Sequence, residues 1–164
     1  MSYVDTSVIV LALDRLDPRC CLAKAALEKA GDKVVSELVL VELSAVLARK
    51  RLTELFAEKL GVSRRLIAST LIIYLLKRFG LRFRAVDGLI RIPMLGDLSQ
   101  PMAEALNLSE RLRLRTLDLL HLAYVKLLKE MGEPIDVLMT ADKEFKKITR
   151  EIEEELGVRV QFIG

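Results

Sequence analysis

The strongest constraint on this chain's fold is a pattern of very short apolar runs set between longer segments with helical spacing. Tyr3–Val4, Val34–Val35, Ile135–Met139 and Val158–Ile163 are too short for buried helices and suit buried strands. Short strands buried on both faces, alternating with helices, argue for an α/β fold. The expected architecture is a three-layer α/β/α arrangement around a central, mostly parallel sheet of about four to five short strands. There is no internal repeat and no Gly/Pro/Ser-rich linker, so residues 1–164 read as a single domain.

Punctuation residues set the expected helix limits. Thr6 and Ser7 follow the first strand and start a short helix to Leu13, and Pro18 opens a second helix through about Ala30, before Gly31. Ser36 caps a third, Glu37 to Arg51, with cations in its last turn. Leu55–Leu60 reads as one helical turn closed by Gly61, and Ser63 caps a helix to Phe79 ended by Gly80. Arg82–Val86 and Ile90–Pro93 suit short strands. Ser99–Pro101 opens a helix to about Leu114, and Thr116 caps a strongly apolar helix to about Met131. Asp142 opens the last helix, to about Leu156.

Composition excludes several function classes. Hydrophobic residues make up 52% of the chain, which rules out a disordered protein. No apolar run reaches the roughly 18 residues of a membrane span, and the N-terminus lacks the basic start of a signal peptide, so a cytoplasmic protein is expected. Cys20 and Cys21 are adjacent and are the only cysteines. They read as reduced thiols, and no CxxC or His/Cys cluster points to zinc. The net charge of +3 permits a polyanionic partner without requiring one. Asn and Gln are scarce and 30% of residues are charged, a bias that resembles thermophile usage.

Four acids sit in apolar surroundings, where carboxylates are uncommon without partners. Asp5 ends the first strand, and Glu42 lies within Leu38–Leu43. Asp118 lies in Thr116–Leu120, at the start of the most apolar helix. Asp142 follows Val137–Ala141. Each acid also has a plain structural reading. Asp5 and Asp142 suit helix N-caps, Asp118 suits a first-turn acid, and Glu42 suits a solvent-facing position. In an open α/β sheet, however, ligands bind outside the carboxyl ends of the strands, where Asp5 and Asp142 lie. Two carboxylates about 4 Å apart repel by roughly 4 kcal/mol at an effective dielectric of 20. No Lys or Arg adjoins Asp5, Glu42 or Asp118 in sequence, so a divalent cation is the expected counterion. Asp and Glu ligands favour Mg²⁺ or Mn²⁺ over zinc, and such a site suits phosphoryl chemistry.

At these residues the chain resembles the PIN-domain family in its VapC-like form. Tyr3-Val4-Asp5-Thr6-Ser7 resembles the family's first motif, and Leu40-Val41-Glu42-Leu43 the second. Leu117-Asp118-Leu119-Leu120-His121 resembles the third, and Thr140-Ala141-Asp142 the fourth. The motifs occur in the family's order across nearly the whole chain, and Leu52–Leu98 is the stretch they cover least. The resemblance implies that Asp5, Glu42, Asp118 and Asp142 bind metal, supported by Thr6, Ser7 and Thr140. It also implies metal-dependent endonucleolytic hydrolysis of RNA, a small antitoxin protein as partner, and a homodimer with its interface within Glu37–Phe79.

His121 shares a helix face with Asp118. It reads either as a satisfied structural histidine or as a contact to that acid or to substrate. Arg113 and Arg115 precede the third acid as possible substrate contacts, with Arg111 beside them, and Arg49-Lys50-Arg51 forms a second basic group. A phosphatase of the haloacid dehalogenase type needs a second Asp where Ser7 stands. Neither GxGxxG nor a P-loop occurs. The remaining alternative is a catalytically silent PIN-like binding or scaffold module.

Overall fold

The computed structural model describes residues 1–164. In chain order the elements are β1 (Ser2–Val4), α1 (Thr6–Leu13), α2 (Cys20–Glu28), β2 (Lys33–Val35), α3 (Glu37–Arg49), α4 (Leu52–Leu60), α5 (Arg64–Phe79) and β3 (Leu81–Phe83). A hairpin follows, β4 (Leu89–Ile92) and β5 (Gly96–Ser99). Then come α6 (Gln100–Leu112), α7 (Thr116–Glu130), β6 (Val137–Thr140), α8 (Lys143–Lys147), α9 (Thr149–Leu156) and β7 (Arg159–Phe162).

Five strands form one sheet in the order β3-β2-β1-β6-β7, and every pair in it is parallel. The chain moves outward one way from β1 through β2 to β3, then returns to place β6 on the other side of β1. With right-handed crossovers, this reversal puts α1–α5 on one face of the sheet and α6–α9 on the other. The result is the expected α/β/α sandwich, with a sheet that is wholly rather than mostly parallel. The β1/β6 boundary is the topological switch point, and a crevice opens there at the strands' carboxyl ends. Asp5 follows β1 and Thr140 ends β6, so the register pair Val4–Met139 brings these residues together.

Burial explains why so few strand residues suffice. Tyr3, Val4, Val34, Val35, Leu138 and Met139 are all buried, with helices on both faces. Leu122, Ala123 and Val125 of α7 pack into the same core. This accounts for the strongly apolar character of that helix.

The local differences from expectation have local causes. Leu52–Leu60 forms a whole helix rather than one turn, because Arg51 takes a left-handed φ of 54° and separates it from α3. The β4–β5 hairpin stands apart from the main sheet, and its second strand, Gly96–Ser99, carries too little apolar alternation to be read as a strand. The last helix breaks at Ile148, whose φ of −115° and ψ of 30° leave the helical region. Arg115, not Thr116, occupies the N-cap of α7. Ser36 sits at the α3 N-cap but makes no capping bond with its side chain.

Cys20 is buried with its thiol toward the Ala12 carbonyl, Cys21 is exposed, and both are free. No helix is long and apolar enough to cross a membrane.

Leu122 is fully buried between the sheet and its neighbouring helices. Leu122→Ala is expected to lower unfolding free energy by about 2–5 kcal/mol, as measured by urea denaturation followed by circular dichroism.

Candidate metal centre at the strand switch point

The carboxyl ends of β1 and β6 open into a cleft of about 630 Å³. It is lined by Asp5, Thr6, Ser7, Glu42, Arg49, Arg115, Asp118, His121 and Asp142, among others. All four acids from distant parts of the chain therefore face one space. Arg115 joins them. Arg113 does not line the cleft: it is exposed at the C-cap of α6, in a left-handed conformation with φ 49°.

Asp5 is the best anchored of the four. Its Oδ2 accepts hydrogen bonds from Ser7 Oγ at 2.5 Å and Thr140 Oγ1 at 2.6 Å. Its Oδ1 accepts from the Ser7 backbone N–H at 3.3 Å, which caps α1. Ser7 Oγ also accepts from the Ala141 N–H at 2.9 Å, tying the start of α1 to the end of β6. Thr140 is fully buried beneath this network, and its Oγ1 accepts from the Asp142 N–H at 3.0 Å. Asp142 in turn caps α8 by accepting from the Glu144 N–H at 2.8 Å. The capping reading of Asp5 and Asp142 therefore holds together with the cleft reading, because each carboxylate does both.

Glu42 lies in the cleft with its side chain 22% exposed, not out in solvent. Its Oε2 accepts from Thr6 Oγ1 and from His121 Nε2, the latter at 2.9 Å. Burial pushes its carboxyl upward, but the His121 bond, the His121 charge and the Thr6 bond outweigh burial and hold it below the usual range.

His121 lines the cleft but is nearly inaccessible, 2% exposed, and its Nε2 faces carboxylates. Its partners are Glu42 and, at 3.3 Å, Asp5 Oδ1. It makes no hydrogen bond to Asp118, the partner its helical spacing suggested. Its Nδ1 meets the buried Tyr3 hydroxyl at 3.0 Å, and that hydroxyl meets Ser36 Oγ at 2.7 Å. With two acceptors at Nε2, that nitrogen carries the proton, and Tyr3 holds the ring in this orientation. Burial alone would lower the His121 pKa. Glu42, Asp5 and Asp118 raise it above the ordinary value.

Asp118 is the acid without support. Its Oδ2 is buried and has no hydrogen-bond partner. Burial first, then the charges of Asp142 and Asp5, push its carboxyl above the ordinary value. A buried carboxylate oxygen with nothing to bind costs desolvation energy unless a cation meets it.

The donor set fits a hard divalent ion. Asp118 Oδ2 is orphaned, and the Asp142 bond leaves one of its oxygens free. The sequence suggested an oxygen-only pocket, but one nitrogen is also present, because ligand atoms of Asp5, Glu42 and His121 all lie within 4.8 Å of one another. That nitrogen already donates to Glu42, so the carboxylate oxygens are the available ligands.

A family model described as PIN domain matches residues 2–151. The chain belongs to the PIN-domain family. No curated protein matches its sequence. Two solved structures resemble this PIN domain in fold. One is VapBC2 from Rickettsia felis bound to a DNA fragment from its promoter. It has a TM-score of 0.58 and 15% identity, and each chain is covered in full. The other is Mycobacterium tuberculosis VapC20, a toxin that cleaves the sarcin–ricin loop. It has a TM-score of 0.53 and 17% identity, with 90% of this chain and 94% of that chain covered.

Tyr3 and Ser36 are the site residues that the sequence did not reveal. Tyr3 read as a strand core residue and Ser36 as a cap, and no local signal marks either as a partner of His121.

Tyr3→Phe removes the hydroxyl that joins two buried polar groups. It is expected to cost about 1–3 kcal/mol of stability, measurable by chemical denaturation. Asp118 gives a pH test. Its folded pKa is raised, so its favourable contribution is complete below the ordinary value of 3.8 and is lost as pH rises through the folded value. In chelator, Asp118→Asn is expected to gain stability over the parent at neutral pH, with the gap closing under acid conditions. Melting curves across pH check this, and a gap that widens toward acid would contradict it.

Proposed function

We propose that this PIN domain is a metal-dependent endoribonuclease, the toxin of a VapBC-type toxin–antitoxin pair. The observation that carries this reading is the orphaned Asp118 Oδ2, buried among three further acids at the strand switch point. Asp5, Glu42, Asp118 and Asp142 would hold Mg²⁺ or Mn²⁺. Once bound, the ion acidifies and orients water and neutralises charge on the scissile phosphate.

The chain's own residues have separate tasks. Ser7 and Thr140 hold Asp5 rigid, and Thr6 and His121 hold Glu42. Arg115, on the rim, meets the substrate backbone. The buried carboxylates also narrow which bond can react, because a phosphodiester must reach into the cleft to meet them.

RNA as substrate and toxin as role draw support from the two structural neighbours, VapBC2 and a VapC toxin that cleaves the sarcin–ricin loop. Exposed apolar side chains on α3–α5 support a small antitoxin and a second copy as partners. They include Val41, Phe56, Leu66, Ile73 and Tyr74. A cytoplasmic setting accompanies that role.

The test is incubation of purified protein with structured RNA and Mn²⁺, read on a gel. Cleavage is expected, and excess chelator or Asp5→Asn should abolish it. Cleavage that persists in Asp5→Asn would point to a contaminating nuclease and remove the reading. Metal binding without cleavage of any RNA would leave the binding-module alternative in its place.

A further inference from the structure

We infer that Arg49 and Arg115 form a two-sided phosphate clamp that draws a single-stranded RNA backbone across the acidic cleft. The inference rests on the nuclease reading and specifies how substrate is gripped.

The clamp answers an electrostatic problem. A pocket of four carboxylates repels a polyanion, and one divalent ion only partly cancels their charge. Cations near the cleft must supply the remainder, and they must be free to do so. Most nearby cations are already engaged. Lys50 pairs with Asp14 at 3.9 Å, Arg51 with Glu54 at 2.8 Å and Arg111 with Glu155 at 2.7 Å. Arg113 lies outside the cleft.

Arg49 and Arg115 are the arginines that line the cleft, both are exposed, and neither contacts an acid in an ion pair. They come from different elements. Arg49 lies two turns beyond Glu42, on the same face of α3. Arg115 is the N-cap of α7, three residues before Asp118. Each is felt by the acid on its own helix, Arg49 by Glu42 and Arg115 by Asp118. The two guanidiniums thus border the acids from α3 and from α7. A backbone spanning both would present an internal phosphate to the carboxylates, which favours cleavage within a strand over removal of a terminal nucleotide. Arginine suits this task because its planar fork binds phosphate oxygens in pairs.

The experiment measures binding, not cleavage. A fluorescent 15-nucleotide single-stranded RNA is titrated by anisotropy against the Asp5→Asn protein in magnesium buffer at several salt concentrations. Arg49→Ala, Arg115→Ala and Arg113→Ala are then added separately to that background, with melting temperature as the check on folding. Removing one cation that neutralises a phosphate of a single strand lowers the salt slope by about 0.7. Arg49→Ala and Arg115→Ala should each show such a drop, with several-fold weaker binding at low salt. Arg113→Ala should match its parent, and Arg49→Lys should retain most of the slope. Unchanged slopes in the two rim variants would overturn the clamp, as would an equal drop in Arg113→Ala. Either result would leave the nuclease reading to its own cleavage assay. Absent cleavage with intact rim effects would remove that reading and keep the binding track.

Discussion

The parallel pairing of β1 with β6 is the interaction on which the rest of this molecule depends. The two strands are far apart in the chain, and their three register pairs, from Ser2–Val137 to Val4–Met139, bring both carboxyl ends to one level. The Asp5 N–H donates to the Met139 carbonyl at 3.0 Å, so the first acid is held by the sheet ladder itself. From there the Asp5–Ser7–Thr140 network joins α1 to β6. Because the strand order reverses at this seam, helices from opposite faces, α3 and α7, contribute Glu42 and Asp118 to the same opening.

The site shows how one side chain can stabilise the fold and still serve chemistry. Asp5 and Asp142 cap helices with one oxygen, a use that is worth about 1 kcal/mol in typical helices. Thr6 and His121 share one oxygen of Glu42. Asp118 is the exception, with a buried oxygen that nothing satisfies. Buried polar groups are normally paired, so this unpaired oxygen marks where the protein has given up stability. The cost is confined to one residue because each of the other three acids accepts at least one hydrogen bond.

His121 changes the electrostatic picture of the pocket. Nε2 of this ring lies 3.3 Å from Asp5 Oδ1 and 2.9 Å from Glu42 Oε2, and the ring is held from behind by Tyr3 and Ser36. It keeps two carboxylates close without requiring an arginine in contact with either. The arginines at the rim are therefore left unpaired, and the cleft is acidic at its floor and basic at its edge.

Local chemistry made much of this legible in the sequence. Runs too short for helices had to be strands, and their unbroken apolar character required cover on both faces, so the α/β class followed. Acids at strand ends and in apolar helices stood out because burying them without partners is costly. What a residue contacts across the fold has no local signature. A tyrosine in a buried strand looks the same in sequence whether or not its hydroxyl has a partner, and helical spacing suggested Asp118 for His121 where packing supplied Glu42. Arg113 and Arg115 are equivalent in sequence, yet the turn between α6 and α7 places only Arg115 on the cleft. The sequence by itself determined the kind of fold and which acids needed explaining, because both follow from hydrophobic periodicity and the energetics of burial. Only the tertiary structure decided which groups pair, which oxygen is left unpaired and which cations remain free, because strand order and crossover direction set those distances.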